Sequence, residues 1–335
     1  MGKLPKEMLE KYVFPRVGLR RPEVLVGPRY GEDAAIISIN DKKVLVVHSD
    51  PITAAYEYSG WLAVNIACND IAVRGAEPRW ILPVILLPEN RKDLLDKIMN
   101  EINSAAKALK VMVVGGHTEY LSMLKRPIIS MTAIGVAYKN HYITTGNGEI
   151  GDRIIMTKTA GIEATAILAK DFKDLLLKKG VSMDLIRKSM DFISKVSVVK
   201  EALILAKMGA HVMHDPTSGG ILGGLYEIAC ASNIELRIMA EKIPVAKETQ
   251  IFCNLLGLNP LKILSSGSLL ALIPKDRVKE AVKRLRKAQI NTAIIGSVHS
   301  GCGVILTKKD GTVEKICRPV EDEFVNLWKN GDNSC

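Results

Sequence analysis

The chain has 335 residues, 47% hydrophobic and 24% charged, with a formal charge of +10. That length calls for about two domains, and the composition excludes a largely disordered or fibrous chain. No apolar run approaches the ~20 residues that cross a bilayer, and the Lys and Arg residues are scattered rather than gathered into a stripe, which argues against a nucleic-acid surface.

The first expected element is a short amphipathic helix around residues 6–12, followed by a Gly- and Pro-containing loop over 26–33. Val- and Ile-rich runs at 35–39 and 44–48 read as strands. Residues 59–73 read as a helix with Leu62, Ile66 and Val73 at near-helical spacing, stopped by Gly75-Ala76-Glu77-Pro78. A strand is expected at 79–87, a long amphipathic helix at 94–109, and strands at 111–114 and 128–136. The glycine-rich stretch 139–152 is read as a boundary between domains 1–145 and 146–335. Beyond it the expected strands are 154–157, 211–213, 236–240, 268–273, 292–295 and 304–307; the expected helices are 163–170, 197–208, 219–231 and 277–287. The fold class is therefore α+β, two α/β sandwiches of similar size.

The six cysteines form no CxxC pair and no apolar leader precedes them, so neither a zinc knuckle nor a disulfide framework is expected. A reducing cytoplasm suits such a chain.

Chemistry concentrates in a few polar segments set against apolar elements. Asp33 lies in Gly31-Glu32-Asp33, Asp50 in His48-Ser49-Asp50, and Asn69-Asp70 interrupts an apolar helix. Singly, Asp33 and Asp50 are explained by turns, where Asp bonds nearby backbone N–H groups, and Asn69-Asp70 by the exposed stripe of an amphipathic helix. Together, Asp33, Asp50 and Asp70 can converge at one sheet edge, as a carboxylate set for Mg²⁺ and phosphate does. Gly115-Gly116-His117-Thr118-Glu119 ends a strand with two glycines and a polar trio, either a turn or a phosphate cradle. In Asp215-Pro216-Thr217-Ser218-Gly219-Gly220, the last residues open a helix, either as an N-cap or as an anion site. Neither GxxxxGK[ST] nor a strand-borne GxGxxG occurs.

In this order, GEDAA (31–35), HSD (48–50), VNIACNDIAVRGAEP (64–78), VVGGHTE (113–119), GDRIIMTK (151–158), HDPTSGG (214–220) and NPLKILSSGSLL (259–270) resemble the aminoimidazole ribonucleotide synthetase-like superfamily. That group includes thiamine-monophosphate kinase, selenophosphate synthetase and the hydrogenase-maturation HypE proteins, and this chain is most similar to the branch of HypE-type and uncharacterised synthetase-related proteins. The resemblance implies an N-terminal domain that dimerises through a shared β-barrel, a covering C-terminal domain, and ATP held with Mg²⁺ in a cleft. It implies that Asp33, Asp50 and Asp70 hold metal and phosphate, with Asp70 at the reaction centre. Asp215 supplies the acid of the C-terminal half, and Asn69, Gly115, Gly116, Thr118, Thr217 and Gly219 line the nucleotide. The family's acid after the glycine pair is here His117, which leaves Glu119 as a ligand or His117 as a phosphate contact. HypE proteins end in Pro-Arg-Ile-Cys, and that cysteine receives a carbamoyl group which is dehydrated to a thiocyanate. This chain ends Gly331-Asp332-Asn333-Ser334-Cys335, so Cys335 is either such a carrier, loaded by a carbamoyltransferase partner, or an incidental terminal residue. The early loop has no cysteine of the kind selenophosphate synthetase uses. A binding-only ATP protein and a small-molecule kinase are the alternatives, and the second substrate is unnamed.

Overall fold

A computed structural model describes residues 4–53, 55–88, 91–325 and 327. The first half builds a seven-stranded sheet from β1 (Val24–Val26), β2 (Ala35–Ser38), β3 (Lys43–Ile52), β4 (Glu77–Leu87), β5 (Met112–Val113), β6 (His117–Tyr120) and β7 (Ile128–Tyr138). The strand order is β1-β2-β3-β7-β4-β5, with β6 also paired to β4. A short helix, α1 (Lys6–Met8), precedes the sheet, and α2 (Ser59–Ala72) and α3 (Lys92–Leu109) follow in the chain. Strict alternation in β7 buries Ile129, Met131 and Ala133 while Ile128, Ser130 and Thr132 stay half-exposed. This is the period-two signature of a sheet covered on one side. Gly135 lets the helix touch the sheet, since a Cβ there would lie 2.2 Å from Ile71 Cγ2. The outer face of β2, β3, β4 and β7 carries half-buried Ile37, Leu45, Val47, Leu82 and Ile134. Among the described residues of one chain it forms a single open layer.

Helix α2 departs from expectation in an instructive way. It is buried on every side rather than amphipathic, because the inner face of the sheet, α3 and a helix of the second half surround it. A helix enclosed all round has no solvated stripe. Its polar residues Asn69 and Asp70 are therefore 0% and 6% exposed.

Residues 139–152 connect to a second seven-stranded sheet: β8 (Arg153–Thr157), β9 (Val212–His214), β10 (Glu235–Met239), β11 (Leu270–Ile273), β12 (Thr292–His299), β13 (Gly303–Thr307) and β14 (Val313–Ile316). Their order is β14-β13-β10-β12-β8-β11-β9. The helices are α4 (Ile162–Asp171), α5 (Lys173–Lys178), α6 (Met183–Met190), α7 (Val199–Lys207), α8 (Gly220–Ser232), α9 (Lys247–Leu256) and α10 (Val278–Lys287). One face packs on α8 and the other on α7 and α10, giving two cores. All four residues of β11 are accordingly buried, as in a strand covered on both faces. Helices α4, α6 and α9 continue the first core instead, alongside α2. The ends of the chain cross over as well: Lys6 Nζ approaches Cys230 Sγ at 3.2 Å, so residues near α1 lie against α8 rather than against the first sheet.

Candidate active site

The inner face of β3 presents Val44 and Val46, then His48, Asp50 and Ile52, which alternate toward α2. The expected strand ended at residue 48; the observed one runs to Ile52, so Asp50 belongs to a strand rather than a turn. On α2, Asp70 Oδ2 lies 3.0 Å from His48 Nε2, an ion pair whose angle is poor for a hydrogen bond. Burial opposes charge on His48, but Asp70, and then Asp50 and Asp33, outweigh it and raise the imidazole to about 9.

Asp33, in the loop before β2, meets Arg74 and His214. The Arg74 guanidinium, 0% exposed, donates to Asp33 Oδ2, to Glu32 Oε2 and Thr145 Oγ1 at 2.8 Å each, and to the Met213 carbonyl at 2.9 Å. His214 Nδ1 lies 3.0 Å from Asp33 Oδ2 and its Nε2 2.9 Å from Glu227 Oε2. Burial again opposes the charge on His214, and Asp33 and Glu227 overcome it and raise the pKa to about 10. This buried network ties the β1–β2 loop, the C-terminal end of α2, the inter-sheet connection and β9 into one unit. Sequence reading missed Arg74, Glu32, His214 and Glu227. The available signal was an arginine between Val73 and Gly75 at the end of an apolar helix, which must find anions if buried.

Asp215 follows β9 and is 1% exposed. Asn69 Nδ2 donates to its Oδ2 at 2.8 Å, and Asn69 also bonds the Val196 carbonyl and the Val198 N–H. Burial, then Asp70, push the Asp215 pKa well above the usual range; Glu163 adds to this, and Asn69 and His214 oppose it. Its Oδ1 is buried and has no hydrogen-bond partner among the described residues. Beside this group opens a cavity of 560 Å³ whose walls include Asp50, Glu163, Thr217 and Ser266, a size within the usual range for small ligands.

The glycine turn goes elsewhere. Across the sheet, Asp50 faces Met131 of β7, Met131 faces Pro83 of β4, and the next residue, Val84, pairs with His117. Two strands therefore separate β6 from β3, a spacing of about 14 Å. His117, Thr118 and Glu119 are exposed, and His117 Nε2 makes a surface ion pair with Glu119 Oε2 at 3.4 Å. Gly116 is needed for packing, since a Cβ would lie 2.3 Å from the Pro83 carbonyl oxygen. The structure thus does not bring Gly115, Gly116, His117, Thr118 or Glu119 to the aspartates of the same chain. At the start of α8 the cap is Gly219, with no side-chain cap from Thr217 or Ser218. Its N–H is taken by Asp322 Oδ2 at 2.8 Å, so a carboxylate of the chain already meets that helix end. Cys335 lies outside the described residues.

Among the described residues, no three His, Cys, Asp or Glu side chains converge closely enough to form a ready-made metal cage. Asp33 is engaged by Arg74 and His214, and Asp70 by His48. The group fits Mg²⁺ in another manner: that ion keeps several waters and uses one or two carboxylates plus phosphate oxygens. The unpartnered Oδ1 of Asp215, electrostatically coupled to Asp70, supplies the buried excess of negative charge such an ion relieves.

Comparison with known proteins gives consistent matches. The family model "AIR synthase related protein, N-terminal domain" matches residues 31–137, and its C-terminal counterpart matches 149–309. A putative hydrogenase expression/formation protein of Methanocaldococcus jannaschii is 30% identical over 303 residues, covering 88% of each chain. A carbamoyl dehydratase HypE of Bradyrhizobium diazoefficiens is 29% identical over 230 residues, 68% of this chain and 64% of that protein. A crystal structure of the hydrogenase maturation protein HypE in complex with ATP superposes with a TM-score of 0.71 at 21% identity, covering 95% of this chain and 96% of that one.

Proposed function

The chain belongs to the AIR synthase-related protein family, and from that premise we propose that it is an ATP-dependent enzyme that activates a carbonyl or amide oxygen by phosphorylation. The reaction we assign is dehydration of a carbamoyl group carried on Cys335, as in HypE, with a carbamoyltransferase as the loading partner. Similarity to proteins named hydrogenase formation protein and carbamoyl dehydratase supports this assignment. The observation that carries it is the buried acid group beside the 560 Å³ cavity, above all the unpartnered oxygen of Asp215.

In this reading Asp50, Asp70 and Asp215 hold magnesium and through it the phosphates of ATP. Bound magnesium would offset the charge on the transferring phosphoryl group. Asn69 fixes Asp215 by a hydrogen bond, and Arg74 and His214 fix Asp33. Thr217 and Ser218, at the cavity wall, orient the acceptor. Val325, from the segment that continues toward Cys335, also lines the cavity, which supports delivery of the carbamoyl group there.

We further assign a homodimer that buries the half-exposed apolar face of the first sheet. Such a face is sheltered when two sheets close on each other. In a dimer of that kind, Gly115 to Glu119 belong to an edge that can approach the partner's site, which keeps Glu119 and His117 as candidate phosphate or metal contacts. No helix among the described residues is long and apolar enough to cross a membrane. Cys68, Cys230, Cys253, Cys302 and Cys317 are free thiols, which suits the reducing cytoplasm we assign.

The test measures ADP release by the full chain with magnesium–ATP and a carbamoyl donor plus carbamoyltransferase. Asp70→Asn is expected to lose at least ~100-fold in turnover, and Cys335→Ala to lose carbamoyl acceptance. Tight ATP binding without ADP release would replace the enzyme with a binding-only protein. Phosphate transfer to a screened metabolite would identify a small-molecule kinase.

A further inference from the structure

Lys158 is the residue after β8, and its backbone is left-handed, with φ +54°. A side chain there costs conformational energy that glycine avoids, and such strain persists where the surrounding structure holds it in place. The holding contacts are specific. Lys158 N–H donates to the Asn291 carbonyl at 2.7 Å. The side chain is 18% exposed. Its ammonium donates to the carbonyls of Lys195 at 2.9 Å and Ser197 at 2.6 Å, and lies 2.7 Å from Glu201 Oε1. Three acceptors thus match the three N–H groups of an ammonium. A cation is out of place here by default, because residues 195–198 lead into the N-terminus of α7, where the helix dipole favours negative charge. Glu201, in the first turn of α7, offsets that opposition.

The segment held by this ammonium holds the acid group in turn. Between the two carbonyls that Lys158 binds lies that of Val196, which accepts from Asn69 Nδ2 at 2.9 Å. Val198 N–H donates to Asn69 Oδ1 at 2.8 Å, and Asn69 Nδ2 also donates to Asp215 Oδ2 at 2.8 Å. Both hydrogens and the oxygen of the Asn69 amide are engaged, so residues 196 and 198 set its orientation. We infer that Lys158 is a positioning residue for the magnesium–ATP site: by clamping residues 195–197 it sets the Asn69 amide, and through it the direction in which Asp215 presents Oδ1. The inference rests on the reading that Asp215 holds magnesium. Without the ammonium, the carbonyls of Lys195 and Ser197 turn to water, the segment loosens, and Asn69 no longer fixes Asp215. Losing a group that orients a metal ligand lowers metal affinity by about 10–100-fold. The ligand itself remains, so excess magnesium compensates by mass action. A lysine that served only the stability of the fold would lower the urea midpoint without moving the magnesium requirement.

The experiment titrates magnesium into the full chain with ATP and reads ATP binding by calorimetry. Hydrogen exchange of residues 195–200 is followed by mass spectrometry without ligand. Lys158→Met keeps the stem and removes the donors. It is expected to raise the half-saturating magnesium concentration at least ~10-fold, to leave ATP affinity at saturating magnesium unchanged, and to speed exchange at 195–200. Asn69→Ala is expected to raise the magnesium requirement likewise. Adding Lys158→Met to Asn69→Ala should raise it no further, since both act on one orientation. Lys158→Gly combined with Glu201→Gln relieves the backbone strain and removes the carboxylate that the lysine leaves behind; it carries the same test if Lys158→Met does not fold. A magnesium requirement within about twofold of wild type in these variants, or effects of the two sites that multiply in the double variant, overturns the assignment and leaves the reading of Asp215 standing. A wild-type chain whose ATP binding does not depend on magnesium overturns that reading, and this inference with it.

Discussion

At the inner end of β3, His48 and Asp50 face an enclosed helix; at the outer edge of β4, His117 and Glu119 face solvent. Both stretches combine a histidine with a carboxylate, and in sequence both read as polar ends of strands. Their partners set them apart. The first lies under α2, where burial turns each charge into a demand for an opposite one, met by the His48–Asp70 pair. The second lies on an edge, where water satisfies the same groups and the pair is worth ~0–1 kcal/mol. Chemical potential in a side chain comes from its enclosure as much as from its identity.

That contrast can be broken at several points. Arg74→Met should be the most damaging to the fold, because it removes the buried guanidinium that Glu32 and Asp33 share and leaves only His214 to Asp33 and the more exposed Arg29 to Glu32. A loss of about 3–5 kcal/mol is expected in urea unfolding, and a loss below 1 kcal/mol would mean that the network is not structural. Asp215→Asn tests whether the site stores instability for function. It removes a buried carboxylate with an unpartnered oxygen, so stability should rise by about 1 kcal/mol while magnesium-dependent ATP affinity falls at least ~10-fold, as read by calorimetry at several magnesium concentrations.

The pH dependence above neutrality draws on several raised pKa values, among them those of His48, His214 and Glu163. His48 and His214 bind protons more tightly when folded, so their contribution is complete below the unfolded value of ~6.5; it is lost as pH rises through about 9 and about 10. Glu163 is raised from 4.5 to about 7, so the folded state also favours its protonated form, and that stability is lost as pH rises through about 7. All three slopes have one sign. The unfolding free energy read from urea titrations should fall between pH 7 and 10 by an amount on the order of 5 kcal/mol, and a flat profile would show the two histidines to be neutral in the fold. The smallest effect belongs to the exposed edge. Glu119→Ala should change stability by less than ~0.5 kcal/mol. If it nevertheless abolished ATP turnover, the edge would be serving the site of a partner chain, and the contrast would hold only within one protomer.

The strands of both sheets were legible wherever Val and Ile alternate with polar residues or run unbroken, as in β3, β7, β8 and β11. Those patterns record burial on one face or two. Helices α5, α6 and α9 and strands β1, β6 and β14 were not anticipated. The missed strands are only three or four residues long; β1 and β14 pair with the adjacent strand of the chain, and β6 with the more distant β4. The extension of β3 through Asp50 was hidden for a similar reason: Ser49, Asp50 and Pro51 are poor strand formers, and pairing with β7 holds them extended. Asp33, Asp70 and Asp215 stood out as isolated acids beside apolar elements. Glu163 did not, because a glutamate in the first turn of a helix is ordinary.

From the residues alone came the two-part α+β organisation, the order of spaced motifs and the aspartates at element ends, since local pattern and composition encode them. Only the tertiary structure decided that α2 is enclosed, that Arg74 and His214 hold Asp33, that Glu163 borders a cavity with Asp50, and that residues 115–119 lie apart. Each of these depends on which distant segments exclude water from a side chain, and the free energy of a charge changes most with that exclusion.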